Sequence, residues 1–337
     1  MSPTRRASSR SWRASSPSQK SPATIADGLL LVDKPAGVSS HDVVSAARRA
    51  TGEQRIGHAG TLDPFATGLL VVLVGRATRL VQHVHDEPKE YEATVRFGTE
   101  TDTEDLLGRI VTEAPLPSRE TLDARLPRLL GSIEQVPPAF SAKHVAGKRA
   151  YVLARAGETV DLAPVRVTVH AITLDGFTGT EEAVESCRMR VSCGGGTYVR
   201  SLARDFARAS GSAAHLTALR RLKAGVFSVD AAIALEKLQS GAFVLLPALE
   251  ALAGYPRQEL TPTELQQVSR GIDVEARIAG DRAALVTPGD SGGAPVLVAF
   301  AERRSAEKAD RWQPRVVMRE PESQTQFTQQ SSAEIRP

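Results

Sequence analysis

The chain has 337 residues, 41% hydrophobic and 24% charged, enough apolar material for one large domain and a smaller one. Its most apolar run, Leu69 to Val74, is strand-sized and far short of the ~20 residues of a membrane helix, so no membrane association is expected. Five of the 42 basic residues and none of the 39 acidic ones lie in the first 26, which leaves 37 against 39 in the rest. The net positive charge therefore belongs to the start of the chain, and any nucleic-acid surface on the body has to be a local patch.

Residues 1–26 are rich in Ser, Arg and Pro, with Trp12 as the one large aromatic. Such a composition does not offset the entropy of ordering, so a disordered basic tail is expected. An Arg- and Ser-rich, acid-free start also has the composition of an organelle transit peptide, but no spaced apolar stripe accompanies it, and a plain tail is the better reading.

From Gly28 the pattern becomes globular. Leu29–Val32 predicts a buried strand, and Ser39 or Ser40 can cap a helix through Val43, Val44, Ala46 and Ala47 to Gly52. A loop holding His58 and Asp63 leads into the strand Leu69–Val74. Tyr91, Ala93, Val95 and Phe97 alternate as in a half-buried strand. Asp102, Glu104 and Asp105 read as a solvated capping turn. They lack the ligand spacing of a calcium loop, and neither a metal site nor a glycosidase carboxylate pair is expected there. Leu122, Leu126, Leu129 and Leu130 mark a helix stopping at Gly131, and Val165, Val167 and Val169 open another strand.

Cys187, Met189, Val191 and Cys193 alternate with Arg188, Arg190 and Ser192, which is strand periodicity with both thiols on the apolar face. Six strand residues span ~20 Å, beyond disulfide reach. No His or Cys stands at ligand spacing, so the pair reads as buried thiols of a cytoplasmic protein and not as a zinc site. After Gly194–Gly196, the residues Val199, Leu202, Ala203, Phe206 and Ala207 have the spacing of an amphipathic helix. Arg200, Arg204 and Arg208 recur at every fourth position of it, with Arg220, Arg221 and Lys223 downstream. These are the best candidates for a track along nucleic-acid phosphates, against the plainer reading of a solvated charged face.

A boundary falls between Pro247 and Pro256. Beyond it, Thr261-Pro262-Thr263-Glu264 is a capping box with proline at the first helical position. Short apolar runs at Ala283–Val286, Val296–Phe300 and Val316–Met318 predict a small, mainly β module over residues 250–320, followed by a disordered polar tail over 321–337. Strands and helices mix without a βαβ period, so the fold class is α+β and not doubly wound α/β.

The segment richest in chemistry runs from Arg55 to Gly68. Its glycines at 57, 60 and 68 and Pro64 constrain a loop that presents one histidine and one carboxylate ahead of a buried strand. Taken singly, an aspartate before proline is most often a turn residue and an isolated histidine a hydrogen-bonded structural one. The strand, glycine turn and helix start from Cys193 to Arg200 can present N–H groups to a phosphate. Val199, however, stands where a dinucleotide fingerprint requires its third glycine.

Together these blocks resemble one family, the bacterial TruB-type tRNA pseudouridine-55 synthases, which isomerise one uridine in the T loop of tRNA. The similarity runs through Asp33-Lys34-Pro35-Ala36-Gly37-Val38-Ser39-Ser40, the Gly57–Gly68 loop, Lys89-Glu90-Tyr91 and Thr101-Asp102-Thr103-Glu104-Asp105. It continues in Val136-Pro137-Pro138, Ser141-Ala142-Lys143, Gly196-Thr197-Tyr198-Val199-Arg200, Ala214-His215-Leu216 and Leu219-Arg220-Arg221. These blocks stand in family order over roughly two hundred residues, Gly28 to Phe227, and the order is what sets aside the bland reading of each residue alone.

The resemblance implies a pseudouridine synthase catalytic domain with a mixed sheet over residues 27–249 and a PUA-like RNA-binding module after it. It implies Asp63 as the catalytic carboxylate, Arg200 as the ion-pair partner that orients it, and Tyr91 stacked on the uracil. Tyr198 and Leu219 would line the pocket, and His58 would support the flipped-out RNA. No cofactor and no metal are implied, because the isomerisation neither gains nor loses atoms. The implied partner is the T stem-loop of tRNA, with no obligate protein partner and a monomeric, cytoplasmic enzyme. Gly194 and Gly195 depart from the family, which has serine and then serine or lysine there, and Ala213 replaces a glycine. Two other classes compete: a non-catalytic RNA-binding module, which would not need Asp63, and a nucleotide-binding enzyme, which would need a diphosphate cradle and a ribose-binding acid.

Overall fold

The computed structural model describes residues 27–318, apart from 85–86, 142, 146–147, 159–161, 290–292 and 306–308. Both expected tails lie outside the described residues. Strand β1 (Gly28–Lys34) leads into α1 (Ser40–Thr51), which starts in a capping box of Ser39 and Asp42 and ends at Gly52 in the left-handed region. β2 (Ile56–Ala59) and β3 (Thr67–Val74) follow. β3 is apolar throughout its buried length because both of its faces are covered. Leu70, Val72 and Val74 pack with Val43 and Ala47 of α1, while Leu69, Val71 and Leu73 enter a second cluster on the opposite side.

β4 (Lys89–Phe97) alternates buried and solvent-facing residues as its pattern predicts. β5 (Thr99–Thr101) and β6 (Ile110–Glu113) pair around the acidic turn. The leucine run expected as one helix is α2 (Arg119–Arg125) followed by a 3-10 turn, Leu126–Leu129, with Pro127 near its start. Proline lacks the N–H that a continuing α-helix needs there. β7 (Gly131–Gln135), the short β8 (His144–Val145) and β9 (Lys148–Arg149), and α3 (Ala150–Arg155) come next. Then follow the long strands β10 (Val165–Gly179) and β11 (Val184–Cys193), the helix α4 (Val199–Ala209) and β12 (Ala214–Ala224). β13 (Phe227–Ser228) turns back on the end of β12, and β14 (Ile233–Ala234), α5 (Leu235–Gln239) and β15 (Leu246–Pro247) follow, with β14 and β15 both paired to β1.

The main sheet has the order β14-β1-β3-β12-β4-β11-β10-β7, with β2, β13 and β15 joined at its sides. It is mixed. β12 runs antiparallel to β4 but parallel to β3, where Arg220 and Arg221 face Thr67 and Gly68. Gly68 permits this junction: its φ is +100°, and a Cβ there would lie 2.3 Å from the Arg221 carbonyl oxygen. The crossing sets the loop before β3 against β12, whose preceding element is α4. The apolar side of α4, through Val199, Leu202, Ala203 and Phe206, packs on Val95, Met189 and Leu216 of the sheet.

The C-terminal part contains β16 (Arg257–Glu259), α6 (Pro262–Ser269), β17 (Val274–Glu275), β18 (Arg282–Thr287), β19 (Val296–Arg304) and β20 (Arg311–Val317). Its five strands are ordered β16-β18-β19-β20-β17, and Thr261 with Glu264 forms the capping box read from the sequence. Leu249, Ala251 and Leu252 sit in a 3-10 turn buried between the two sheets. They join Leu29, Leu73 and Leu80 on one side to Val286, Phe300 and Met318 on the other. His83 stacks on Phe300 at 4.1 Å between ring centroids. No helix among the described residues is long and apolar enough to cross a membrane.

Both cysteines lie on the buried face of β11, as the alternation predicts. Burial pushes the Cys187 thiol up to about 12 and the Cys193 thiol up to about 11. A thiol held that high has almost no thiolate at neutral pH and is inert. Ellman's reagent is expected to leave both untouched in the native protein at pH 8 and to titrate both in guanidinium chloride. Rapid reaction of either in the folded state would show that β11 is not packed as described.

Candidate active site

Asp63 stands in the loop between β2 and β3, and three side chains from other elements hold that loop. Ser40, at the start of α1, donates its hydroxyl to the Leu62 carbonyl (3.0 Å) and accepts the Leu62 N–H (2.9 Å). Lys34, at the end of β1, is fully buried and donates to the carbonyls of Pro35 (3.0 Å), Val38 (2.7 Å) and Pro64 (3.3 Å). Arg221, from β12 and also buried, donates to Leu69 O (2.7 Å) and Gly60 O (3.0 Å). Buried cations are costly unless hydrogen-bonded; here Lys34 ties the β1–α1 connection to Pro64 of the loop, and Arg221 bonds Gly60 in it and Leu69 just after it. The backbone beside Asp63 is thus held in place before any ligand arrives.

Arg200, on the first turn of α4, meets this carboxylate as a fork. Its Nε donates to Asp63 Oδ2 at 2.8 Å and its Nη2 to Oδ1 at 3.2 Å. Its remaining donors reach the Thr103 carbonyl (2.5 Å) and the Phe140 carbonyl (3.0 Å), and Asp105 lies 3.9 Å away. The side chain of Arg200 is 2% exposed while that of Asp63 is 31% exposed. The guanidinium is buried and fixed, and the carboxylate it orients opens to solvent. Such a two-point contact sets the plane of the carboxylate as well as its position.

The basic face of α4 is not a free phosphate track. Arg204 is buried and ion-paired with Glu104 and Asp205, and it donates to the Val136 carbonyl at 2.9 Å. Arg208 pairs with Glu100, Arg220 with Asp33 (2.8 Å) and Lys223 with Glu90 (3.3 Å). The same pairs correct the reading of the acidic turn as solvated. Glu104 and Asp105 are both buried, and Ser201 donates to Glu104 at 2.8 Å. Burial pushes the Glu104 carboxyl up, against the pull of Arg204. Glu104 stands at φ +60°, in the left-handed region. Helix spacing placed the arginines on one face; Glu100 and Glu104, which pair with Arg208 and Arg204, come from β5 and the turn after it, about a hundred residues earlier in the chain.

The glycine turn before α4 is likewise taken up by the protein itself. The Gly195 N–H donates to Glu87 at 2.8 Å, and a Cβ on Gly195 would meet that carboxylate oxygen at 2.2 Å. The serine or lysine of the family pattern would displace Glu87, and a diphosphate cradle here would compete with it.

The remaining residues expected at the site divide into two groups. Tyr198 precedes α4 directly; burial pushes its phenol up, and the charges of Asp63 and Arg200 act on it. Tyr91 on β4 and Leu219 on β12 belong to one buried cluster with Leu62 and Phe65 of the Asp63 loop. The two tyrosines, the leucine, Asp63 and Arg200 therefore surround one region. His58 stands apart on β2, opposite Val72 of β3. Its buried Nδ1 has no partner among the described residues, and burial followed by the charge of Arg221 holds its pKa below the usual histidine value. The sequence read Ser40 as a helix cap and Arg221 as part of a phosphate track, assigned Lys34 no role, and missed the buried Gln135, whose amide bonds both backbone groups of Tyr198. Lys34 and Arg221 were inside recognised motifs, but nothing local says that a cation will be buried against carbonyls.

Lys34 also carries a pH prediction. Burial pushes its ammonium down to about 8, partly offset by Asp63 and reinforced by Arg221. Above pH 8 the unfolded chain, with the ordinary lysine value of 10.5, binds the extra proton, so stability rises with pH from that point. Above the ordinary thiol value of 9.0, the two raised cysteines act in the opposite sense, because they ionise only in the unfolded chain. Urea unfolding is expected to show stability increasing between pH 8 and 9, with the increase abolished in Lys34→Met. A flat profile in the parent protein would contradict a charged, desolvated Lys34.

The architecture matches solved structures of the same fold. One is described as an H/ACA ribonucleoprotein bound to a substrate RNA containing 2′-deoxyuridine, with TM-score 0.63 and 22% identity, covering 88% of this chain and 86% of that chain. Another is an archaeal box H/ACA Nop10–Cbf5 complex, with TM-score 0.62 and 22% identity, covering 88% and 87%. These likenesses show the fold: a mixed main sheet followed by a small PUA-like C-terminal sheet. Residues 48–199 match the model of the TruB family pseudouridylate synthase N-terminal domain. The curated "tRNA pseudouridine synthase B" of Novosphingobium aromaticivorans is 47% identical over 259 residues, 73% of this chain and 85% of that protein. The protein of the same name from Corynebacterium efficiens is 43% identical over 284 residues, 83% of this chain and 94% of that protein. The chain belongs to the TruB family of pseudouridylate synthases and is an isomerase.

Proposed function

We propose that the enzyme converts uridine 55, in the T loop of tRNA, to pseudouridine, with Asp63 acting at the sugar carbon C1′. The reaction breaks the N1–C1′ bond, turns the uracil and joins C5 to C1′; C5 then gives up its proton and N1 ends protonated, so the composition is unchanged. Departure of the base leaves positive charge at C1′, which an adjacent carboxylate stabilises or captures. The observation that carries the reading is the two-point grip of Arg200 on an outward-facing Asp63, which holds one carboxylate in a fixed plane at the mouth of a buried cluster.

Tyr91 stacks on the displaced uracil, Tyr198 and Leu219 line its pocket, and His58, held neutral by burial, supports the flipped-out nucleotide. The C-terminal sheet binds the RNA outside the pocket. The enzyme acts as a monomer in the cytoplasm on the T stem-loop and draws on no cofactor, since all atoms of the uridine are retained. Mapping pseudouridine in tRNA from cells with and without the gene tests this. The T-loop modification is expected to disappear with the protein and to return on incubation with the purified chain; persistence of position 55 in the deletion strain would overturn it.

A further inference from the structure

We propose that Gln135 is a positioning residue of this active site, acting through Tyr198 and Arg200, as one end of a short strap that sets the first turns of α4. The inference rests on the proposed role of Asp63 and Arg200. Gln135 is the last residue of β7 and is 1% exposed. Its amide makes two hydrogen bonds to a single residue: the Tyr198 N–H donates to Gln135 Oε1 at 2.8 Å, and Gln135 Nε2 donates to the Tyr198 carbonyl at 3.1 Å. Tyr198 is the residue from which α4 starts, and its own side chain makes no capping hydrogen bond. The direction of the helix at its start is therefore set from outside, by a side chain sixty-three residues earlier.

The residues after Gln135 extend the contact. Val136 accepts from Arg204 at 2.9 Å, and Phe140 accepts from Arg200 Nη2 at 3.0 Å. Between them lie Pro137 and Pro138, each with φ fixed by its ring. The strap thus touches α4 at 198, 200 and 204. The turn carrying Thr103 and Glu104 grips the same helix independently, at Arg200 through the Thr103 carbonyl and at Ser201 and Arg204 through the Glu104 carboxylate. Arg200 is located by both, and its remaining donors face Asp63. Of the two, the strap depends at its anchored end on one neutral amide that must both donate and accept. Glutamine satisfies this where a carboxylate or an aliphatic side chain of similar size cannot.

The consequence is catalytic geometry. A small displacement of groups that orient a reacting carboxylate costs rate steeply, whereas RNA affinity arises over a wider surface. Gln135→Leu and Gln135→Glu keep the volume but lose one or both hydrogen bonds to Tyr198. Each is expected to lower the single-turnover rate of pseudouridine formation at saturating enzyme at least ~10-fold, with the Kd for the same tRNA changed less than ~3-fold. The decisive readout is the double-mutant cycle with Arg200→Lys: if Gln135 works through Arg200, its substitution costs little further rate once the fork is gone.

Equal, additive losses in both backgrounds, or a Gln135→Leu rate equal to that of the parent, would overturn the proposal. Should Gln135→Leu fail to fold by circular dichroism, Gln135→Glu carries the same cycle. Loss of folding in both would also overturn it, by making the residue structural. A parent protein that forms no pseudouridine in tRNA would instead refute the proposed function, so the two failures are distinct.

Discussion

Asp63→Asn is expected to reduce pseudouridine formation to background, a loss of at least ~10³-fold, as when a group acting on transition-state charge is removed. Asparagine keeps the size of the side chain and one acceptor oxygen, but its NH₂ faces a guanidinium N–H where Asp63 now accepts from both Nε and Nη2 of Arg200. The fork is halved and the negative charge is lost. The fold should survive, because Arg200 keeps its bonds to the Thr103 and Phe140 carbonyls and lies 3.9 Å from Asp105. Binding of tRNA should persist or tighten, since one charge that repels phosphate has gone. Were Asp63 only a turn residue before Pro64, asparagine would serve nearly as well. Single-turnover conversion measured beside binding of the same tRNA separates the two; near-parental turnover would remove Asp63 from the mechanism.

Arg200→Lys is expected to have the next largest effect. Lysine retains the charge but concentrates its donors at one atom, and it cannot reach the carboxylate and both carbonyls in the plane that the guanidinium spans. At least one of the Thr103 and Phe140 carbonyls is left without this partner in a site where the side chain is 2% exposed. Each orphaned group costs ~1–3 kcal/mol, so stability should fall by that order. The carboxylate of Asp63 also loses its fixed plane, and a misplacement of about 1 Å is worth ~10²-fold in rate. The measurement is a thermal melt alongside single-turnover kinetics. Parental turnover in the lysine variant would show that Asp63 is oriented by something other than this pair.

The ion pairs of α4 change what the charge pattern means for RNA binding. Arg204 is buried in ion pairs with Glu104 and Asp205, and Arg208, itself exposed, pairs with the buried Glu100, so Glu104 and Glu100 fasten the β5–β6 hairpin to the helix. Charge that looks available at the level of spacing has been neutralised within the protein, which agrees with a body carrying slightly more acidic than basic residues. A buried pair broken by removing one partner leaves an uncompensated charge, a cost of ~3–5 kcal/mol. Alanine at Arg204 is therefore a stability variant and a poor probe of RNA affinity.

What could be read without coordinates was whatever depends on near neighbours in the chain. The helix cap at Ser39, one of the two serines offered for it, and the capping box at Thr261 are local contacts over three residues, and both formed. The alternation of Tyr91 to Phe97 and of Cys187 to Cys193 records which face of a strand is buried, because that period is fixed by the backbone. The order of motifs along the chain pointed to Asp63 and Arg200 together, although no spacing rule links residues 137 positions apart.

Tertiary structure alone decided the rest. Arg221 reads as part of a phosphate track and Lys34 as one residue of a motif until folding buries both, with hydrogen bonds to the carbonyls of Gly60 and Pro64 beside Asp63. Glu104 and Asp105 look like a solvated turn until the β5–β6 hairpin docks on α4. Gln135 carries no signal in the local pattern, and its role appears only where its amide meets Tyr198. In each case the partner is distant in sequence, and the sign of the effect turns on desolvation. A charge or amide costs little in water, costs much when buried unpaired, and becomes a fixed anchor once its partner arrives. Local pattern contains neither the partner nor the dielectric, and both come into being only when the chain has folded.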